Sequence, residues 1–238
     1  MVLPLYANIS SIAIDPVEKK PLRRFMPNTW TYSVGFWHCD MDCPFCQNWE
    51  IAHPRRKDGS KIYPERLISL AVESGCPSIS FTYSEPTIHI EYVVEAMRLA
   101  RQRGLATILV TNGNLLTEPA QEILALTDAT NIDYKAAEAG TYREVLGGNV
   151  RVVQNFIRIA STLCHVEITS LAVPGILDNP RQMDEISRFI SSVSADIPLH
   201  ITQYHPAWRY HRAPLTKESL TAMREAAQRN LKFVYAYF

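Results

Sequence analysis

The sequence predicts an α/β protein with parallel strands in a partial (β/α)6, TIM-like barrel, and a doubly wound open sheet is the alternative architecture. Short β-rich runs alternate with longer stretches of helical period, at about 30 residues per unit. Strands separated by helices pair in parallel through right-handed crossovers. A length of 238 residues without a Gly/Ser tract fits one domain. Both architectures place chemistry at the carboxyl ends of the strands.

Seven runs rich in β-branched and aromatic residues are the predicted strands, at positions 30–36, 78–83, 106–111, 130–134, 165–173, 199–204 and 232–237. Three helical faces are predicted from apolar spacing: Leu67, Ile68, Ala71 and Val72; Val152, Val153, Phe156, Ile157, Ala160 and Leu163; and Met183, Ile186, Phe189, Ile190 and Val193. Pro64 and Pro180 fit first helical turns, and Thr117 and Thr216 are predicted N-caps.

The first 28 residues do not follow this alternation. Residues 12–14, the turn-prone Asp15-Pro16 pair and residues 22–25 predict an extended lead-in or a hairpin. We therefore divide the chain into a lead-in at 1–28 and a single barrel domain at 29–238.

Composition narrows the function classes. The 24 basic and 24 acidic side chains give a formal net charge of zero, which offers no electrostatic case for nucleic acid or anionic membrane as a partner. No apolar run approaches the roughly 20 residues of a spanning helix. The start lacks the basic and apolar regions of a signal peptide, so we expect a cytoplasmic protein.

Three of the five cysteines lie within eight residues, at Cys39, Cys43 and Cys46. An odd count clustered in this way favours a metal or redox site over disulfides. Their spacing also fits one face of a helix, but Pro44 disfavours helical geometry at Cys43. Zinc sites usually have four protein ligands, and iron–sulfur clusters ordinarily take four thiolates. Three thiolates leave one iron open, and His38 is a candidate fourth ligand.

The segment Cys39-x3-Cys43-x2-Cys46, with Phe45 before the last cysteine, resembles the signature of radical S-adenosylmethionine (radical SAM) enzymes. The order of later motifs resembles the pyruvate formate-lyase activating enzyme and, most closely, the radical SAM member of the AmmeMemoRadiSam system. The matching stretches are IDPVEKKP at 14–21, CPFCQNWE at 43–50, YSEPTI at 83–88, TNG at 111–113, DYK at 133–135, VPG at 173–175 and YHP at 204–206.

This resemblance implies a single [4Fe–4S] cluster on Cys39, Cys43 and Cys46, whose open iron binds the amino and carboxylate groups of SAM. One electron would then split SAM into methionine and a 5′-deoxyadenosyl radical that abstracts hydrogen from a substrate. The resemblance also implies SAM-pocket roles for Phe45, Tyr83, Ser84, Glu85, Asn112, Asp133, Lys135, Thr169 and His205. Tyr83-Ser84-Glu85 stands where the family has Gly-Gly-Glu, and only the glutamate is kept.

The residues leave several of these roles with a structural alternative. Glu85 could cap the following helix, and Asp133 with Lys135 could form an internal ion pair. The expected partners are an unidentified substrate, with a protein loop of a glycyl radical enzyme as one candidate, and a reductant such as flavodoxin or ferredoxin. The competing hypotheses are a small-molecule or peptide substrate, a non-catalytic iron–sulfur electron carrier, and a structural zinc module. Cys76 is expected to be a small packed hydrophobe.

Overall fold

A computed structural model describes residues 6–55 and 59–237. Within that part of the chain the strands are β1 (Asn8–Ile9), β2 (Ser11–Pro16), β3 (Trp30–Gly35), β4 (Ser60–Lys61), β5 (Ser78–Thr82), β6 (Ala106–Thr111), β7 (Ala129–Asp133), β8 (His165–Ala172), β9 (Leu199–Gln203) and β10 (Val234–Tyr237). The main sheet has the order β10-β9-β8-β7-β6-β5-β3-β2, and β1 pairs with β4 in a separate antiparallel ribbon.

The order of the strands decides between the two predicted architectures. From β3 to β10 the seven strands of the main sheet are parallel and follow one another in sequence order. Right-handed crossovers then place every connecting helix on the same face. A doubly wound sheet requires a point where the strand order reverses. The partial barrel is therefore confirmed, and the doubly wound alternative is wrong.

The helices of the described residues follow the strands in the predicted alternation. They are α1 (Trp49–Ala52), α2 (Pro64–Glu73), α3 (Ile90–Gln102), α4 (Thr117–Leu124), α5 (Ala139–Thr141), α6 (Val150–Leu163), α7 (Pro180–Val193) and α8 (Lys217–Gln228), with short 3-10 turns at Val17–Lys19 and Pro86–His89 and a π turn at Tyr142–Leu146. None of these helices is long and apolar enough to cross a membrane.

The signals for helix ends are confirmed with one exception. Pro64 and Pro180 occupy first turns, and Thr216 caps α8 by accepting a hydrogen bond from the Ser219 backbone N–H. The prediction for Thr117 is wrong, because this residue lies inside the first turn of α4 after Leu116. Its hydroxyl instead accepts a bond from Asn155 on α6 at 3.1 Å. A contact between two helices has thus taken the place of a local cap.

The predicted apolar faces include two residues that are exposed. Val72 on α2 and Leu163 at the end of α6 are 38% and 46% exposed, whereas Leu67 and Phe156 on the same two helices are fully buried. Val72 and Leu163 lie in the last turns of their helices. The apolar pattern therefore continues to the ends of both helices, beyond the part of each helix that packs in the core.

Residues of the predicted lead-in pack on the main sheet. β2 runs antiparallel to β3 and includes Asp15 and Pro16, so the predicted turn at this pair is wrong and the strand pairs with the barrel sheet instead of with residues 22–25. The chain then crosses to the inner face of the sheet, where Val17 and Leu22 pack with Ile108 of β6 and Ala129 of β7. Residues 1–5 of the predicted lead-in lie outside the described residues. The boundary at residue 28 stays a prediction.

Glu167 of β8 anchors the lead-in to the inner face. Its carboxylate is buried and contacts four nitrogen atoms: Arg23 N at 3.1 Å, Arg24 N at 2.8 Å, His165 Nε2 at 2.9 Å and His200 Nε2 at 2.6 Å. Burial alone would raise the pKa of Glu167, but the bonds from the histidines and the two backbone N–H groups hold it at about 2. This carboxylate joins the lead-in to β8 and β9.

We expect Glu167→Gln to destabilise the fold by about 3 kcal/mol at pH 7, because it breaks a buried charged network. A carboxylate with a lowered pKa gives its full stabilisation above the ordinary value of 4.5 and loses it as the pH falls toward about 2. In urea unfolding over this pH range, the free energy of unfolding should therefore fall less steeply with decreasing pH for the variant than for the wild type. Parallel curves for the variant and the wild type would contradict this role of the charge.

Candidate functional site

A cavity of about 430 Å³ lies at the carboxyl ends of the parallel strands. Strands β5 to β9 each contribute to it, through Thr82, Val110, Asp133, Thr169 and Thr202 among others. All the predicted site residues except His205 line this one cavity. The structure thus brings together predicted site residues as far apart in the sequence as Cys39 and Thr169.

The three cysteines lie on an irregular loop between β3 and α1, so the helical alternative for this segment is wrong. Cys43 is 8% exposed. The loop is held by backbone bonds from Asp42 N to Leu146 O at 2.9 Å and from Arg209 N to Pro44 O at 3.0 Å. Contacts with distant segments therefore determine where the thiols lie.

Burial and a neighbouring cation act in opposite directions on these thiols. Desolvation raises the pKa of Cys43 to about 11, and the charge of Lys135 partly opposes that rise. Burial likewise raises the pKa of Cys39 and of Cys46. Metal coordination requires the thiolate form. A bound metal would therefore displace a proton from each sulfur, and the Lys135 cation would favour the resulting negative charge.

The donor set fits an iron–sulfur cluster. Among the described residues, no group of three or more His, Cys, Asp and Glu side chains could hold a single metal ion. A cuboidal cluster occupies more space than one ion, and a cavity of about 430 Å³ lies beside the three sulfurs. Thiolates are the ligands that iron–sulfur clusters take. His38, the candidate fourth ligand, is not among the residues that line this cavity.

Glu85 follows β5 and is 1% exposed. Its Oε1 accepts bonds from Thr87 N at 3.0 Å, Thr87 Oγ1 at 2.7 Å and Thr111 Oγ1 at 2.8 Å, and its Oε2 accepts one from Asn112 N at 2.8 Å. The alternative role as a helix cap is therefore present, since Thr87 lies in the turn Pro86–His89. An ionised carboxylate has about four lone-pair sites, shared between its two oxygens. Three of the bonds go to Oε1 and one goes to Oε2, so Oε2 can accept one more hydrogen bond.

The electrostatic setting of Glu85 is unusual for a carboxyl group. Burial and the nearby charge of Asp40 raise its pKa to about 7, against the lowering effect of the bonds from Asn112 and Thr87. An added donor at Oε2 would favour the ionised form. A bound ligand that donates an N–H group to Glu85 would therefore stabilise its charged form.

Asn112 connects this carboxylate to the cysteine loop. Its Nδ2 donates to Asp40 Oδ1 at 2.6 Å and lies 3.8 Å from Cys39 Sγ. Asp40 also accepts a bond from Asn114 at 2.9 Å. The sequence analysis did not identify Asp40, because only the folded chain brings it next to Asn112 and Asn114 after β6.

Asp133 and Lys135 stand on the cavity wall at the end of β7 and form an ion pair of 2.7 Å. Lys135 Nζ carries three donors, of which Asp133 takes one. Desolvation lowers the pKa of Lys135, but the charges of Asp133 and Cys43 outweigh it and the net shift is upward. Lys135 therefore stays a cation beside the thiols.

The remaining predicted residues are held by bonds within the protein. Ser84 Oγ donates to Phe36 O at 2.8 Å, and Thr169 Oγ1 donates to Asn131 Oδ1 at 2.9 Å. Phe45 is buried and packs edge-on against Tyr210. His205 is exposed on the loop after β9 and does not line the cavity. Thr202 is the residue of β9 that lines the cavity.

Comparison with known proteins gives a consistent result. A sequence model of the Radical SAM superfamily matches residues 38–190. The uncharacterized protein MJ0808 of Methanocaldococcus jannaschii is 34% identical over 236 residues, which are 97% of this chain and 70% of that protein. The pyruvate formate-lyase-activating enzyme of Streptococcus mutans is 21% identical over 210 residues, covering 82% of this chain and 80% of the enzyme.

Solved structures share the fold. Streptococcus suis SuiB bound to S-adenosylmethionine superposes with a TM-score of 0.68 at 17% identity and covers 86% of this chain. The chain spans 50% of the length of SuiB. The match to the superfamily covers more than half of this chain and includes the three cysteines. The chain therefore belongs to the radical SAM superfamily, whose members bind a [4Fe–4S] cluster and S-adenosylmethionine.

Proposed function

We propose that this chain is an activase-like radical SAM enzyme that cleaves SAM reductively and directs the resulting radical at a protein loop of a glycyl radical enzyme. The observation that carries the proposal is the single cavity in which three thiols, the Glu85 carboxylate and the Asp133–Lys135 pair meet. Its relative in Streptococcus mutans aligns over most of both chains and supports the activase type.

In this proposal Cys39, Cys43 and Cys46 hold the cluster, and the protein stabilises the charge on their sulfurs. The Met41 backbone N–H donates to Cys39 Sγ at 3.4 Å, and Lys135 supplies positive charge nearby. When bound, the cluster supplies one electron to the sulfonium of SAM. Hydrogen bonds to sulfur and exclusion of solvent tune the reduction potential of such clusters.

The other residues orient SAM. Glu85 Oε2 accepts a hydrogen bond from the amino group of its methionine part, and the free donors of Lys135 bind an oxygen of the methionine or ribose part. Phe45 provides an apolar wall, and Tyr83, Ser84, Asn112 and Thr169 complete the pocket. His205 is left out of this proposed set, because it lies outside the cavity.

The first test is anaerobic reconstitution with iron and sulfide, followed by dithionite and SAM. We expect a brown protein that forms 5′-deoxyadenosine, whereas each thiol-to-alanine variant should form none. A brown wild-type protein that makes no deoxyadenosine, beside an active control enzyme, would favour the electron carrier. A colourless protein that retains zinc would favour the zinc module.

A second test addresses the activase type, with the pyruvate formate-lyase of Streptococcus mutans as the probe. We expect a glycyl radical signal in electron paramagnetic resonance that depends on this chain, SAM and a reductant. Deoxyadenosine without that signal would count against the activase type and favour a peptide or small-molecule substrate. The structure of SuiB bound to the precursor peptide SuiA, with a TM-score of 0.66 and 16% identity over 86% of this chain and 48% of that one, makes a peptide the second candidate.

We place the protein in the cytoplasm in this proposal. All five cysteines are free thiols, and cytoplasmic reductants maintain that state. The same compartment supplies flavodoxin or ferredoxin as a one-electron donor. Spin trapping of the radical formed by SAM cleavage, with each purified donor in place of dithionite, identifies which of them reduces the protein.

A further inference from the structure

The stretch from Ile14 to Pro21 has no role in the site described above, although part of it reaches the cavity. Asp15 is the second-to-last residue of β2, and Lys20 and Pro21 line the cavity wall. Lys20 is only 2% exposed. A buried lysine is costly unless a charge partner and hydrogen bonds compensate it, so the partners of Lys20 deserve a functional explanation.

Lys20 and Asp15 hold the side chain of Tyr83. Lys20 Nζ donates to Asp15 Oδ2 at 2.8 Å and lies 4.4 Å from the centroid of the Tyr83 ring. The Tyr83 hydroxyl donates to the same carboxylate oxygen. Burial and Asp15 raise the pKa of Tyr83 to about 12, so the phenol keeps its proton and stays a donor. The ring is therefore bound through its face and through its hydroxyl.

Tyr83 needs such support because of its backbone. Its φ is +73°, in the left-handed region that glycine adopts without cost and that is unfavourable for a residue with a Cβ. The other side of the ring faces Gly35, where an added Cβ would lie 2.9 Å from Tyr83 Cδ2. The close contact with Gly35 and the interactions with Lys20 and Asp15 therefore favour the same position of the Tyr83 ring.

The left-handed turn has consequences on both sides of the cavity. Two residues later the chain presents Glu85, and the Tyr83 carbonyl accepts a bond from Asn48 Nδ2 at 2.6 Å, just after the cysteine loop. A Tyr83 that relaxed to negative φ would redirect the carbonyl and the Ser84-Glu85 pair together. The lead-in therefore acts on the proposed SAM pocket through the side chain of Tyr83.

We propose that Asp15 and Lys20 are positioning residues for SAM binding, which hold Tyr83 in its left-handed conformation and so aim Glu85 into the cavity. This inference rests on the proposed role of the cavity in binding SAM. It assigns to the lead-in a share in cofactor recognition.

The test compares substitutions at Tyr83 in the reconstituted full chain. Tyr83→Ala keeps the unfavourable φ without the anchor, and we expect the dissociation constant and the KM for SAM to rise about tenfold. Tyr83→Gly removes the same ring but adopts this φ freely, so its loss of SAM affinity should be smaller than that of Tyr83→Ala, at about threefold. Iron content should change little in both variants. Equilibrium binding of SAM to the oxidised protein gives a readout that does not depend on turnover.

The charge pair is tested by Asp15→Asn combined with Lys20→Met, which leaves no unpaired buried charge. We expect the same loss of about tenfold in SAM affinity, and little further loss when the two substitutions are added to Tyr83→Gly, because residues that act through one another are not additive. Tyr6→Ala is the matched control. Tyr6 also donates its hydroxyl to a carboxylate, that of Glu95, but does not line the cavity.

Three outcomes would overturn the inference. They are equal SAM affinity in Tyr83→Ala and wild type, equal losses in Tyr83→Gly and Tyr83→Ala, and a loss from the charge-pair variant that persists in full in the Tyr83→Gly background. If the charge-pair variant fails to fold, the comparison of alanine with glycine at position 83 still decides, since it leaves the pair intact. Wild-type protein that binds no SAM would overturn the proposed function itself.

Discussion

Cys43→Ala is expected to abolish cluster assembly and, with it, SAM cleavage. Cys43 is the central cysteine of the loop, is 8% exposed and lines the cavity with Cys39 and Cys46. Removing the hydrogen-bonding partners of a metal ligand typically costs about 10–100-fold, so removing a ligand should reduce deoxyadenosine formation by more than about 100-fold. Iron and sulfide content after anaerobic reconstitution, with the visible absorption spectrum, measure the effect directly.

Cys76→Ser is the matched control for this variant. Cys76 is 6% exposed and packs in the core between α2 and β5, and it does not line the cavity. A hydroxyl in that place costs about 1 kcal/mol of stability but should leave the iron content unchanged. Full iron content in Cys43→Ala, or a loss of iron in Cys76→Ser, would show that the coordination has been misassigned.

Most of the fold was predictable because hydrophobic period and turn chemistry act locally. The strand at 106–111 matches β6, and the prediction at 199–204 exceeds β9 by one residue. The predicted chemistry at carboxyl strand ends also places Glu85, Asn112 and Asp133 in one cavity. A parallel sheet in sequence order makes this unavoidable, since neighbouring strands end on the same edge.

The parts that sequence reasoning missed all depend on contacts between distant segments. Nothing near Lys20 in the sequence indicates that its charge lies over the ring of Tyr83. Asp40 likewise acquires its role only when Asn112 and Asn114 approach it. His205 matched a family motif, but it is exposed on the loop after β9 and does not line the cavity. A local pattern identifies a residue type, whereas the placement of its side chain is set by tertiary packing.

Glu85→Gln is expected to weaken SAM binding strongly while the cluster still assembles. The substitution removes the charge that accepts a hydrogen bond from the amino group, and bonds to charged groups contribute about 1.5–3 kcal/mol, or roughly 10–100-fold in affinity. The amide oxygen of glutamine can keep the place of Oε1 beside Thr87 and Thr111. The amide nitrogen would then face the Asn112 N–H, where two donors meet.

The outcome separates the two roles of Glu85, because a helix cap and a SAM ligand fail differently. Loss of the cap alone would lower stability by about 1 kcal/mol and leave the KM for SAM unchanged. Loss of the ligand raises that KM at constant iron content. Glu167→Gln is the matched control, since it removes another buried carboxylate on the inner face and should lower stability without raising the KM for SAM. An unchanged KM in Glu85→Gln would leave Glu85 as a structural cap and would move the amino-binding role to another residue of the cavity.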